Sequence, residues 1–141
     1  MKNMYLILSV LFLFTGCNEE EAKKQEDTSI YGTWQLTQSF VVDGVSGDWK
    51  DIENGFIITL NKNNTFSSNK FQECSIGTYS IDTNNNKITF EYGCSNFTPC
   101  ESNSSKCVEV FVLENQLLKF TPEYSSCIEG CGEKFKKTTS E

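Results

Sequence analysis

From residue 30 onward, apolar and polar residues alternate in short runs that are separated by turn-forming residues. Alternation with a period of two is typical of a strand that buries one face. The alternating runs are 31–42, 56–61, 65–71, 77–82, 87–92, 107–114, 117–121 and 133–137. No stretch between them repeats apolar residues at helical spacing. The pattern therefore predicts an all-β domain whose eight short strands form an up-and-down antiparallel barrel, with a sandwich as the alternative.

The loops between these runs alternate in length. Tight turns rich in Asn follow the second, fourth and sixth runs, whereas the segments after the other runs are long or irregular. In a meander, alternate loops lie at opposite ends of the barrel, so one end is closed by tight turns and the other carries the long loops. Every cysteine beyond residue 70 falls near the long-loop end.

Aromatic side chains dominate the positions that the alternation turns inward. The predicted inward set is Trp34, Phe40, Phe56, Phe66, Tyr79, Phe90, Tyr92, Phe120 and Phe135. Eight-stranded barrels lie at the boundary between interiors that side chains fill and interiors that hold a ligand. So much aromatic volume inside short strands predicts a small cavity.

The first 16 residues have the organisation of a secretory signal. Lys2 supplies a positive charge, Leu6–Phe14 is an apolar segment of nine residues, and the small pair Thr15–Gly16 follows it. A helix needs about 20 apolar residues to span about 30 Å of hydrocarbon, so this segment is too short to cross a membrane. We therefore expect residues 1–16 to be a cleaved signal peptide.

The stretch FTGC at 14–17 resembles the bacterial lipobox, in which a lipoprotein signal peptidase cuts before the cysteine. The resemblance implies that Cys17 carries a diacylglycerol thioether and usually a third acyl chain on its new amine. At about 0.8 kcal/mol per buried methylene, two or more chains give stable anchoring. The implied location is the outer membrane of a Gram-negative bacterium, on either its periplasmic or its cell-surface face.

Residues 17–29 form the expected tether between the anchor and the barrel. After Cys17, the stretch NEEEAKKQEDTS has no large apolar residue, so burial cannot repay its ordering entropy. Its acids are either a solubilising spacer or, by resemblance to some Gram-negative lipoproteins, a mark for export to the cell surface. At the other end of the chain, residues 138–141 are expected to be frayed.

The chain has seven cysteines, and lipidation of Cys17 leaves an even set of six. These are Cys74, Cys94, Cys100, Cys107, Cys127 and Cys131. An exported chain meets an oxidising compartment, so we expect disulfides rather than metal ligands. The meander brings the ends of the third and fifth runs to one rim, and a glycine permits a short bridge before the last run. The expected pairs are Cys74–Cys94, Cys127–Cys131 and, by elimination, Cys100–Cys107.

The composition excludes several kinds of catalytic site. The net charge is -7, and all 12 positive charges are lysines, because arginine and histidine are absent. This excludes a Ser-His-Asp triad, histidine-ligated zinc and bidentate arginine clamps, and the acidic balance argues against nucleic acid as a partner. No nucleophile–base pair is visible, so we expect a protein that is not an enzyme and that needs no metal or cofactor.

The loop after the first run holds Asp43, Asp48, Asp51 and Glu53 around Trp49. The order of these acids does not match a calcium-binding loop. We therefore expect a solvated loop beside the mouth of the barrel, with Trp49 as a candidate contact at that mouth.

The stretch GTW at 32–34 resembles the G-x-W motif that opens the first strand of lipocalins, and the later NTF, GTY and CIEGCGEKFKK stretches are similar to small lipocalin-like lipoproteins of Gram-negative bacteria. The resemblance covers residues 30–137 and implies a lipocalin-like barrel with Gly32 and Trp34 as its motif residues. Lipocalins usually pack an arginine of the last strand against this tryptophan. Here Lys134 or Lys136 would take its place as a cation–π partner.

Two functions follow from these observations. The resemblance implies a binding module whose barrel interior or mouth holds a small apolar ligand. The alternative is a non-enzymatic envelope interaction protein, whose barrel is filled by side chains and whose disulfide-pinned loops meet a partner. The size of the cavity in the folded barrel separates the two.

Overall fold

The structure, a computed structural model, describes residues 29–42, 44–100, 105–123 and 131–138. The predicted signal peptide, Cys17, nearly all of the tether, Cys127 and residues 139–141 lie outside the described residues. The strands are β1 (Gly32–Val42), β2 (Gly47–Asp51), β3 (Ile57–Leu60), β4 (Thr65–Ser68), β5 (Ile76–Asp82), β6 (Lys87–Tyr92), β7 (Lys106–Glu114), β8 (Leu117–Pro122) and β9 (Glu133–Lys137). Within the described ranges, no helix is long and apolar enough to cross a membrane.

Eight of the strands, β1 and β3 to β9, close into an antiparallel up-and-down barrel. Each strand from β3 onward pairs with the next strand in sequence, β3 also pairs with β1, and β9 returns to pair with β1. In the closing pair, Trp34 stands opposite Lys137 and Leu36 stands opposite Phe135. The expected all-β, eight-stranded barrel is therefore confirmed.

The tight turns close one end of the barrel with residues that tolerate a left-handed backbone. Asn64, Asn86 and Asn115 have φ values of 64°, 52° and 49°. Asn adopts this conformation more readily than most residues because its short side chain bonds to the nearby backbone. The chain also enters the barrel at this closed end, where Gly32 at the start of β1 stands opposite Leu60 at the end of β3.

Strand β2 was not expected, because its residues were predicted to lie in a solvated loop. It pairs with the second half of β1, with Phe40 opposite Trp49 and Val42 opposite Gly47. The turn between the two strands contains Gly44, whose φ of 96° is readily adopted only by glycine. β1 extends past the end of its pairing with β3, and β2 folds back to satisfy the backbone groups that would otherwise be left bare.

A β-bulge in β1 changes which face each residue occupies. The register between β1 and β9 shifts between Leu36 and Gln38. One extra residue inverts the alternation beyond it, so Phe40 lies on the outer face, where its ring is 5.4 Å from that of Trp49. The prediction that Phe40 faces inward was therefore wrong, since the alternation of β1 does not continue in phase through the bulge.

The interior is packed with large apolar side chains. The buried core contains Trp34, Leu36, Ile58, Leu60, Phe66, Tyr79, Ile88, Phe90, Cys100, Cys107, Leu118, Phe120 and Phe135. Edge-to-face contacts cross it, with centroid distances of 5.0 Å for Phe66–Phe90, 5.7 Å for Phe90–Phe120 and 5.4 Å for Phe120–Phe135. Such pairs contribute about 0.5–1.5 kcal/mol each beyond their buried area, and they fill the middle of the barrel.

Disulfides hold the long-loop end. Cys74 is bonded to Cys94 and Cys100 to Cys107, each with a Cα–Cα distance of 5.7 Å. Both pairs were expected, the first from the rim topology and the second by elimination. Cys131 is also disulfide-bonded, but its expected partner Cys127 lies outside the described residues.

Candidate binding site at the barrel mouth

A small cavity opens at the long-loop end of the barrel, and we call it the mouth cavity. It is lined by Phe56, Ile58, Ser68, Lys70, Phe71, Phe90, Tyr92, Cys107, Glu109, Phe120, Glu133 and Phe135. Its volume is about 30 Å³, which is room for one or two water molecules. Sites that bury a small organic ligand have volumes of about 300–1,000 Å³. A ligand of that size would therefore place only one end group inside the mouth cavity.

The ammonium of Lys70 occupies the entrance of the mouth cavity. Lys70 lies in the β4–β5 loop, and its backbone N–H donates to Ser68 Oγ at 3.1 Å. Its Nζ is 2.8 Å from Glu133 Oε1 and lies 4.9 Å from the centroid of the Phe56 ring and 5.8 Å from that of Phe71. The side chains of Lys70 and Glu133 are 27% and 25% exposed. One positive charge is thus held by a carboxylate and two aromatic rings.

Glu109 is a second carboxylate of the mouth cavity and is only 6% exposed. It lies on β7 two residues after the buried Cys107, so the alternation of the strand turns both side chains inward. The pKa of the neighbouring Tyr92 is raised, first by burial and then by the negative charges of Glu109 and Glu133. Two carboxylates and one ammonium thus line the mouth cavity.

Three rings form the aromatic rim of the mouth: Phe71, Tyr92 and Phe97. Their centroids are 5.6 Å apart for Phe71–Tyr92, 5.3 Å for Phe71–Phe97 and 5.2 Å for Tyr92–Phe97. Phe71 and Phe97 come from the β4–β5 and β6–β7 loops, which the Cys74–Cys94 disulfide joins. The disulfide thus holds together the two loops that carry the rim.

Trp49 lies on the outer face of the barrel wall and does not line the mouth cavity. Its ring packs on Phe40 and under two lysines, with Nζ–centroid distances of 3.8 Å for Lys134 and 5.5 Å for Lys119. Lys119 lies between the buried Leu118 and Phe120 in β8, so it faces outward, and Trp49 is on the same side. Trp49 was expected beside the mouth, and the structure instead places it against β8 and β9 from outside.

The G-x-W motif lies at the closed end. Trp34 is fully buried, and its Nε1 donates to the carbonyl of Ile30 at 2.8 Å. The Nζ of Lys137 is 5.3 Å from the centroid of its ring and donates to the carbonyl of Ser29 at 2.9 Å. The prediction that Lys134 or Lys136 is the cation–π partner of Trp34 was wrong, because Lys137 is the residue opposite Trp34 in the ladder between β1 and β9.

The charged residues of the mouth cavity were not identified from the sequence. In β7 the valines at 108, 110 and 112 suggest the buried face, yet the inward residues of that strand include Cys107 and Glu109. The expected disulfide at Cys107 could have indicated the inward position of Glu109. A bonded cysteine at the rim shows which alternate residues of the strand face inward, and Glu109 is two residues after Cys107. Lys70 and Glu133 come together only through loops and the closing strand, which sequence spacing does not reveal.

No cluster of metal ligands is found in the part of the chain that the structure describes: no group of three or more His, Cys, Asp or Glu residues there is arranged to hold an ion. In the loop expected to be acidic, Asp51 Oδ1 accepts a hydrogen bond from Gln38 Nε2 at 2.8 Å. Asp48 accepts one from Lys50 at 3.4 Å. These two carboxylates bond within the β1–β2 hairpin, and neither lines the mouth cavity.

Comparison with known proteins agrees with this geometry. The sequence profile of a family described as a lipocalin-like domain matches residues 30–120. A lipocalin-like protein from Bacteroides uniformis ATCC 8492 has a similar structure, with a TM-score of 0.50 and 20% sequence identity over 77% of this chain and 97% of that one. A DUF4847 family protein from Bacteroides vulgatus ATCC 8482 also has a TM-score of 0.50, with 14% identity over 78% of this chain and 94% of that one. No curated protein matches the chain in sequence.

Proposed function

This chain belongs to the lipocalin-like domain family, and from that membership we propose that it is a non-enzymatic envelope lipoprotein whose barrel binds a small, largely apolar ligand at its mouth. The observation that carries the proposal is the mouth cavity with its aromatic rim. Rings that converge on an opening at the end of a barrel provide apolar contact area without a deep interior.

The size of the mouth cavity determines how such a ligand would bind. Because its volume is about 30 Å³, the apolar body of the ligand would rest on Phe71, Tyr92 and Phe97, and one end group would enter. The ligand would therefore stay partly exposed to solvent. Binding of this kind is weaker than full enclosure, since less apolar surface leaves water.

The proposed anchor at Cys17 bears on how the barrel is oriented relative to the membrane. The described chain begins at Ser29, which accepts a hydrogen bond from Lys137 at the closed end of the barrel. The mouth is at the opposite end, where Glu133 begins β9. A tether that joins the barrel at its closed end would favour an orientation with the mouth away from the membrane, so that the ligand would arrive from the aqueous compartment.

The proposed ligand site is tested with the neutral fluorescent probe N-phenyl-1-naphthylamine and the folded domain, residues 29–141. We expect saturable binding that weakens when Phe71→Ala removes one ring of the aromatic rim. Phe40→Ala is the matched control, because it removes a ring from the outer wall and should leave binding unchanged. If both variants bind the probe like the parent, its site is not at the mouth.

The proposed anchor is tested in cells with the full chain. Cys17→Ser should leave the precursor unprocessed or release the protein into a soluble fraction. If the variant is still cleaved and still partitions into detergent, the assignment of Cys17 as the lipidated residue is wrong. This outcome would leave the proposed ligand site unaffected.

The filled interior also favours a second candidate, an envelope interaction protein whose mouth loops contact a partner. The packing of Phe66, Phe90 and Phe120 across the barrel is the observation behind it. Complete absence of probe binding by the parent domain would favour this second function over the first.

A further inference from the structure

We propose that the mouth prefers a ligand that carries a positively charged amine, whose ammonium takes the position that the Lys70 ammonium holds in the structure. This inference rests on the proposed ligand-binding function and adds the chemical class of the ligand. The ammonium cage consists of Glu133, Phe56 and Phe71, the three side chains around the Lys70 Nζ.

The position of Lys70 shows what the cage accommodates. Its Nζ has a carboxylate oxygen at 2.8 Å and ring centroids at 4.9 Å and 5.8 Å. Carboxylates and aromatic faces are the groups that attract an organic cation, and the attraction strengthens when water is excluded. A ligand ammonium of the same size would find the same partners, so the exchange replaces one ion pair with another.

The charges of the mouth cavity oppose an anionic ligand. Glu109 and Glu133 both line it, and Lys70 is the one lysine among its lining residues. With Lys70 turned outward, an entering carboxylate would meet Glu133 without its counter-ion, whereas an ammonium would restore the ion pair.

The Lys70 side chain can turn away from the ammonium cage. It is on a loop, its side chain is 27% exposed, and its four-carbon stem has several rotatable bonds. Turning outward returns its ammonium to water, and the ligand ammonium replaces it in the contact with Glu133. The net gain on binding would then come from the apolar body of the ligand on Tyr92 and Phe97, the two rim rings that are not part of the ammonium cage.

The test compares three ligands with the same alkyl chain: n-octylammonium, n-octanol and octanoate. Each competes with N-phenyl-1-naphthylamine for the parent domain at low salt. Because the ligand ammonium replaces an existing ion pair, we expect n-octylammonium to bind about two- to threefold more tightly than n-octanol, and octanoate to bind most weakly. Added salt should reduce this preference.

Two variants test which side chains cause the preference for n-octylammonium. Glu133→Gln should abolish the preference for n-octylammonium while n-octanol binds as before. Lys70→Ala should strengthen n-octylammonium binding by about fivefold, because the ligand no longer displaces a resident ammonium. Glu91→Gln is the matched control, since it removes an equal charge from an ion pair with Lys106 on the outer wall, and it should change nothing.

The outcomes separate this inference from the proposed function. Equal binding of the three ligands, or tightest binding of octanoate, would overturn the amine preference and leave the ligand site standing. A preference that Glu133→Gln leaves intact would overturn the cage as its cause. Failure of N-phenyl-1-naphthylamine and all three ligands to bind would overturn both proposals together.

Discussion

The ammonium of Lys137 lies 5.3 Å from the centroid of the Trp34 ring, and the two residues stand directly opposite each other in the β1–β9 ladder. The same ammonium bonds to the carbonyl of Ser29. Lys137 therefore covers the buried tryptophan of the G-x-W motif and fixes the segment that leads into β1. It also belongs to the β1–β9 pairing that closes the barrel. It takes the role that an arginine has in the lipocalins.

Removal of the Lys137 charge should destabilise the domain. Lys137→Met loses a cation–π contact and a hydrogen bond, so we expect the free energy of unfolding to fall by about 1–2 kcal/mol. Lys137→Arg should retain most of the stability, because the guanidinium stacks on indole. Urea unfolding measures both, and Lys136→Met serves as the control on an exposed neighbour. Equal losses for Met at 136 and 137 would contradict the role of Lys137.

Gly32→Ala should destabilise the domain through the backbone. Gly32 has a φ of 125°, which a residue with a Cβ rarely adopts, and strain of this kind is of order 1–3 kcal/mol. A Cβ there would also lie 2.8 Å from Lys137 Cε. Gly93→Ala is the matched control, because its Cβ would meet nothing nearer than 3.6 Å. An equal shift of Tm in the two variants would contradict backbone strain at Gly32 as the cause.

The two described disulfides should differ in their effect on stability. Cys74–Cys94 spans 20 residues and Cys100–Cys107 spans 7, and the longer loop loses more entropy when it is closed in the unfolded chain. Replacing both cysteines of a pair by alanine should lower stability by about 3 kcal/mol for the first pair and about 2.5 kcal/mol for the second. Denaturant titration of the two double variants tests the order. Mass mapping of the unreduced protein tests the pairing.

The two tryptophans should report different environments. Trp34 is fully buried, so the Trp49→Phe variant should fluoresce at short wavelength and resist quenching. Trp34→Phe leaves Trp49 on the outer wall beside Lys134 and Lys119. Iodide should quench this tryptophan more strongly than caesium does, because the two ammonium groups attract an anion. Equal quenching by the two ions would argue against the lysine contacts.

Alkaline pH should destabilise the domain through Tyr92. An unperturbed tyrosine has a pKa of 10.0, and burial followed by the charges of Glu109 and Glu133 raises the pKa of Tyr92 in the folded state. The native state therefore keeps a proton that the unfolded state releases, and the free energy of unfolding falls as the pH rises above 10.

Tyr92→Phe should reduce this dependence on pH. Part of it should remain, because burial and Tyr31 also raise the pKa of Tyr79. Urea titrations at several alkaline pH values measure the slope for parent and variant. Parallel slopes would show that Tyr92 ionises alike in the folded and unfolded states.

Most of the fold was predictable from the sequence, because short alternating runs and Asn-rich turns determine strands and loops locally. The outer position of Phe40 was not predictable, since a single extra residue in β1 reverses the phase and the bulge arises from pairing with β9. Strand β2 was missed because its sequence is polar and Gly-rich, and its pairing with β1 alone makes it a strand.

The mouth was less predictable than the barrel. Its aromatic residues could be assigned to the interior from their spacing, but the contact of Lys70 with Glu133 joins segments 63 residues apart. The inward position of Glu109 conflicts with the general rule that a strand buries its valines and exposes its acids. Such exceptions to the pattern mark the residues on which the proposed specificity depends.

The closure of the barrel by its last strand sets an order on folding. Thr138, just after β9, bonds to Thr33 across 105 residues of sequence, so the joint cannot form until nearly the whole chain is available. During synthesis from the N-terminus, β1 therefore stays without its β9 partner until the last residues of the domain are available. Contacts this distant in sequence also slow folding. The edges of β1 and β8 that β9 later covers are then open to pairing with other chains until synthesis is complete.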